Sequence, residues 1–165
     1  MSSATVTRTY DYDARPFDAA RALALSGLDY LRGILSGDFP APPIAATLGF
    51  TIVEIAPGLA VFEGTPGRFA YNPIGAVHGG WAATLLDSAM GCAVHTTLPA
   101  GKAYTTVDLA LHYVRAITER AGRLRCEGKV LHGGSSIATA EARLVGADGA
   151  LYAHGTTTCL VMSPR

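Results

Sequence analysis

The run from Gly79 to His95, GGWAATLLDSAMGCAVH, contains one carboxylate, Asp87, and neither lysine nor arginine. It is too short to span a bilayer and too apolar for a helix wetted along one side. A chain that carries it must bury it. After Pro99-Ala100-Gly101 come four segments, AYTTVDLALHYVRA, RLRCEGKVLH, SIATAEARLV and LYAHGTTTCLVM. In the second, Leu124, Cys126 and Val130 alternate with Arg123, Arg125, Glu127 and Lys129; in the third, Ala138, Ala140, Ala142 and Leu144 alternate with Thr139, Glu141 and Arg143. That period of two describes antiparallel strands with one polar face. Ahead of the apolar run, FTIVEIAPG and LAVFEGTPG read as two strands joined in a hairpin at Pro57-Gly58. The pattern predicts an α+β domain: an antiparallel sheet of about six strands wrapped around one long central helix, each burying the other's apolar face.

The first forty residues lie outside this plan. FDAARALALSGLDYLRGILSG places Leu25, Leu28, Leu31 and Leu35 at helical spacing, with Gly37 as a stop. The prolines of DFPAPP then mark a boundary. Residues 1–42 are thus expected to form an N-terminal extension with one amphipathic helix, and residues 43–165 the domain. TVTRTYDYD alternates too, but near a terminus it is either disordered or an edge strand.

Charge bounds the partners. Thirteen basic and thirteen acidic residues balance, so no long-range field draws nucleic acid or an anionic membrane to the chain. Charged residues make up 16% and apolar ones 49%, which suits a chain that buries further surface against copies of itself. Cys92, Cys126 and Cys159 have no metal-ligand spacing and read as reduced thiols of a cytoplasmic protein. MSSATVTRTYDYD has no apolar core, so no signal peptide is expected.

Asp87 is not scattered among apolar side chains. At 100° per residue, Thr84, Asp87, Ser88, Gly91 and His95 share one narrow stripe, with Trp81 at its margin. Such a stripe of small and polar residues can line a slot, and Thr84, Ser88 and Gly91 leave room there for an aryl or medium-length group. A carboxylate in that setting either pairs with a buried cation or performs chemistry. Gly79-Gly80, where the helix should begin, leaves the first backbone N–H groups unshielded at its positive end. That is a ready site for an oxyanion. Asn72 and His78 flank the approach.

From Asn72 to Asp87 the residues read N-P-x-G-x-V-H-G-G-x-x-x-x-L-x-D. This resembles the signature of the hotdog-fold acyl-CoA thioesterases of the phenylacetate-degradation (PaaI-like) type. YTTVDLALHYVRA and ATAEARLV resemble strands of the same family. The resemblance spans roughly Pro43 to Met162. It implies hydrolysis of an acyl-CoA thioester without metal or other cofactor. By position, Asp87 matches the carboxylate that activates water or attacks the thioester, and Gly79 the residue whose N–H polarises the carbonyl. Asn72 and His78 match positions that orient substrate or water, and Thr106 a hydroxyl that helps hold the water. Gly80, Thr84, Ser88 and Arg115 are then candidates for contacting substrate. Two departures stand out. Gly133-Gly134-Ser135-Ser136 replaces a basic pair that often holds the phosphates of CoA, and Ala116 replaces a proline after Arg115. A hotdog-fold hydratase or dehydratase, using His78 with a carboxylate, and a non-catalytic acyl-CoA-binding module are the competing readings.

Gly79 and Asp87 lie eight residues apart, about 12 Å along a helix, whereas each must come within about 3 Å of one reacting group. With one such helix per chain, the site is expected to be shared between two chains of a homodimer or homotetramer.

Overall fold

The computed structural model describes residues 4–163. Three short helices precede the sheet: α1 (Ala19–Leu23), α2 (Gly27–Ser36) and α3 (Pro43–Leu48). The hairpin β1 (Phe50–Ala56) and β2 (Leu59–Gly64) follows, turning at Gly58 with φ +73°. The central helix α4 spans Gly79–His95, and the strands β3 (Ala103–Tyr113), β4 (Leu124–Gly133), β5 (Ile137–Gly146) and β6 (Leu151–Met162) complete the chain. All six strands form one antiparallel sheet in the order β1-β2-β4-β5-β6-β3. The sheet wraps α4, as the alternating segments predicted, in the hotdog fold that the resemblance implied.

Burial follows the two periodicities. Leu85, Leu86 and Met90 of α4 are fully buried, as are Leu124 of β4 and Leu144 of β5. Helix and sheet approach so closely that a Cβ on Gly128 would collide with the carbonyl of Ala89. Truncating a residue such as Leu86 to alanine in this layer should cost about 2–5 kcal/mol.

The N-terminal region departs from its periodicity. The single helix expected there is two, broken between Leu23 and Gly27, so Leu25 lies outside both and Leu35 is exposed. Ser26 starts α2 by accepting from the Asp29 N–H at 3.1 Å, a stronger local signal than the leucine spacing. Gly27 must also lie bare against α4, because a Cβ there would strike the His95 carbonyl. Gly37 ends α2 in the left-handed conformation, as expected. Helix α3 was not expected: Pro42-Pro43 supplies its start and Gly49, at φ +70°, its stop. TVTRTYDYD forms no strand in the described residues. Arg8 from it reaches the carbonyls of Ala46 and Thr47 and lies over the Phe69 ring.

Candidate active site

Strand β3 is one edge of the sheet and passes along the Asp87 side of α4. The Thr106 hydroxyl donates to Asp87 Oδ1 at 2.9 Å. No cation pairs with Asp87 among the described residues, so the bland explanation, a buried arginine partner, does not apply. The carboxylate is half-buried and keeps free lone pairs. Thr106 has spent its proton on Asp87, and its oxygen can still accept. A water between the two could give one proton to the carboxylate and the other to the hydroxyl oxygen.

A β-bulge at Val107 sets this geometry. Thr106 pairs with Cys159, and the register then skips so that Asp108 pairs with Thr158. Buried Thr157 secures the irregular turn of chain by donating to the Asp108 carbonyl at 2.8 Å. The extra residue puts Thr106, Leu111 and Tyr113 on the same inner face, although strict alternation from 106 to 113 would separate them.

At the other end, His78 is the N-cap of α4, and its Nδ1 accepts from the Gly80 N–H at 2.9 Å. Gly80 therefore has no free amide to offer a substrate, and His78 carries its proton on Nε2. The Gly79 N–H has no acceptor among the described residues. The Tyr113 hydroxyl donates to the Gly79 carbonyl at 3.2 Å. Its ring would lie 3.1 Å from any Cβ at position 79, so only glycine leaves it undisturbed. Asn72 uses its side-chain oxygen within its own loop, accepting from Ile74 and Ala76 N–H at 3.1 Å each. Only its amide NH2 can face a ligand. Asn72, Gly79, Tyr113 and Arg115 line an open cleft of about 370 Å³. The Arg115 guanidinium lies 5.7 Å from the Tyr152 ring centre.

The remaining stripe is filled differently than expected. Thr84 turns back to donate to the Gly80 carbonyl at 2.9 Å, while Ser88 is half-buried. The gap at Gly91 is not open slot: a Cβ there would come within 2.7 Å of the Tyr104 hydroxyl. Tyr104 packs at a tilt against His95, ring centres 5.3 Å apart, and His95 likewise against Tyr30 of α2 at 5.6 Å. Burial pushes the Cys92 thiol up to about 12 and Tyr104 well above its ordinary value, so both stay neutral. Tyr104 and Tyr113 were missed in the sequence because nothing local ties them to glycines on α4.

One chain thus brings together Asp87 with Thr106, and separately Gly79 with Asn72, His78, Tyr113 and Arg115. These two groups are separated by the rise of α4.

Comparison with known proteins agrees with this architecture. Residues 74–153 match the Thioesterase superfamily model. A phenylacetic acid degradation-related protein of Ralstonia eutropha is 29% identical, with a TM-score of 0.72 over 79% of this chain and 98% of its own. A variant of the phenylacetic acid degradation protein PaaI of Thermus thermophilus is 27% identical, with a TM-score of 0.65 over 72% of this chain and 98% of its own. A curated protein of Halobacterium salinarum, named an esterase by inference, is 41% identical over 73 residues. That match covers 43% of this chain and only 46% of the relative. These likenesses are to the thioesterase superfamily, whose model spans about half of the chain, and to proteins of the PaaI type that share its hotdog fold. Among the described residues, no helix is long and apolar enough to cross a membrane.

Proposed function

We propose that the protein hydrolyses acyl-CoA thioesters to the free acid and CoA, without metal, at sites built between two copies of the chain. One observation carries the reading: on a single helix, a carboxylate that meets no cation among the described residues lies eight residues from a backbone N–H that meets no acceptor among them. A thioester carbonyl polarised by Gly79 of one copy is attacked beside Asp87 of the other. Asp87 acts either as general base on a water shared with Thr106 or as nucleophile. The tetrahedral oxygen rests on the Gly79 amide, and collapse expels the CoA thiolate. Asn72 NH2 and His78 Nε2–H are donors available for orientation, and Arg115 is a cation available to the polar part of the substrate.

Two features support the pairing of copies. The edge strand β3 is unpaired on one side and exposes Val107 and Leu109, which is the kind of edge a second strand covers. The helix rise forbids a complete site in one chain. The hydratase reading is weakened because His78 accepts through Nδ1, leaving Nε2 protonated and without basic capacity. A binding module would have no need of the Asp87–Thr106 pair.

The test is release of free CoA from a panel of aryl- and alkanoyl-CoAs, followed with a thiol-reactive dye in the presence of chelator. Turnover that chelator abolishes and zinc restores would overturn the metal-free mechanism. Loss of an enoyl double bond without thiol release would favour the hydratase.

A further inference from the structure

Two tethers hold the start of α4 to segments that precede it in the chain. Trp81, on the first turn of α4, is buried and donates its indole N–H to the Leu48 carbonyl at 2.8 Å. Leu48 is the last residue of α3. His78, the N-cap of α4, donates its backbone N–H to the Ala70 carbonyl at 2.7 Å. Ala70 ends the short 3-10 turn Arg68–Ala70. The helix end that carries the free Gly79 amide is therefore fixed on one side to α3 and on the other to the turn that contains Phe69.

Arg8 joins the two tethers. Its guanidinium donates to the carbonyls of Thr47 at 2.7 Å and Ala46 at 3.2 Å, the two residues before Leu48. A helix leaves its last carbonyls without partners, and a cation is favoured at that end. The same guanidinium lies over the Phe69 ring, 3.9 Å from its centre. A closed circuit results, from Arg8 through the end of α3 to Trp81 and His78, and back through Ala70 and Phe69 to Arg8. Arginine suits the position because its planar fork reaches two carbonyls edge-on while its face rests on a ring. None of the residues it bonds or covers lines the cleft of Asn72, Gly79, Tyr113 and Arg115. Its influence on a substrate there passes through the helix.

We infer that Arg8 is a positioning residue for the proposed oxyanion donor: by closing this circuit it fixes the first turn of α4, and with it the direction of the Gly79 N–H. This rests on the role given to Gly79 above. It gives the N-terminal segment, which lies outside the matched residues 74–153, a part in the reaction without contact to the substrate.

The chain has one tryptophan, so its indole N–H is a single NMR signal. Hydrogen exchange of that indole and of the His78 amide reads the two tethers, and the Leu86 and Met90 amides read the middle of α4. In Arg8→Ala both tethers should exchange about tenfold faster while the middle keeps its rates. Release of CoA should show kcat lower by about tenfold with KM little changed. Arg8→Lys, which reaches one carbonyl and loses the flat contact with Phe69, should recover part of both effects. Arg8→Met, which keeps the stem without the charge, should recover neither. Phe69→Leu opens the same circuit from its other side, so its loss should not add to that of Arg8→Ala. Exchange that quickens equally at Leu86 and Met90 would make Arg8 a general stabiliser and overturn the inference. A raised KM at normal kcat would make it a substrate contact, with the same consequence. Opened tethers with normal kcat would show that the circuit does not govern Gly79, which also overturns it. Should the protein hydrolyse no thioester, the exchange measurement still decides the circuit: selective quickening at Trp81 and His78 keeps it, and unchanged exchange refutes it.

Discussion

The two ends of α4 are built on opposite plans. The N-terminal end is held by few contacts: a histidine cap, a tyrosine laid across a bare glycine, and a loop that spends Asn72 on its own amides. It is open, and its value lies in a backbone N–H left unpaired. The C-terminal end is packed shut by side chains from three elements, with Gly27 and Gly91 stripped of side chains so that His95 and Tyr104 can fit. One end offers backbone polarity, and side-chain volume closes the other. Asp87, midway, belongs to neither. The comparison predicts that changes at the open end alter rate, changes at the closed end alter stability, and changes at Asp87 alter rate most of all.

The largest expected effect is at the midpoint. Asp87→Asn preserves shape and the Thr106 contact but removes the proposed base or nucleophile. Turnover should drop by about 10²–10⁴-fold with the thermal midpoint little changed. A variant retaining near-normal kcat would remove Asp87 from the mechanism.

At the open end, Gly79→Pro deletes the proposed oxyanion donor, at an expected cost of about 10²–10³-fold in kcat. Each variant alone should be nearly inactive, and their combination asks whether the two groups come from different copies. Refolded or co-expressed together, the two should form mixed dimers in which one site collects both defects and the other collects neither. Random pairing then restores about a quarter of wild-type activity per chain, if sites are independent. Mixed dimers shown to form but no more active than their parents would put both groups in one chain's site. Asn72→Ala replaces the proline variant if the latter misfolds.

Smaller effects separate Thr106 from Tyr113. Thr106→Val removes a hydroxyl bonded to a carboxylate and should lower kcat by about tenfold with KM little changed. Tyr113→Phe keeps the ring over Gly79 and loses only the bond to its carbonyl, so a loss of about threefold is expected. A Tyr113→Phe loss exceeding that of Thr106→Val would mean that the open end is held by the hydroxyl, not by the ring.

What could be read from the sequence divides along the same line. The central helix, the six strands, Asp87's stripe and the unshielded Gly79 were legible because each is a local pattern of period 3.6 or 2, or a glycine at a predicted helix start. The pairing of Thr106 with Asp87 came only through resemblance, since a bulge at Val107 decides which way β3 side chains point and leaves no local signature. Likewise Gly91 reads as an empty slot until Tyr104, distant in sequence, is seen to fill it. The break before α2 was hidden because leucine spacing continues across it, while Gly27's contact with His95 is tertiary. His78 and Gly80 were legible as flanking residues, but not the bond between them, which takes one donor out of the site.

The closed end carries the smallest effect, a pH dependence. Burial against Tyr30 and Tyr104 holds His95 below its ordinary 6.5. The unfolded chain therefore binds a proton at this residue at pH values where the folded chain does not. Stability from this source is intact above about pH 6.5, falls as pH drops through that value, and stops falling below the lowered folded pKa. The slope cannot exceed about 1.4 kcal/mol per pH unit for one group. Carboxylates contribute their own acid slopes, so the difference from a variant is the quantity to measure. His95→Phe keeps an aromatic ring between Tyr30 and Tyr104 but cannot take a proton. In urea unfolding at pH 8, 7, 6 and 5, the two proteins should keep a constant stability difference down to about pH 7, after which wild type loses ground to the variant. Parallel curves across the whole range would mean that His95 titrates normally in the folded chain, and that the C-terminal end of α4 is wetter, and less closed, than its packing implies.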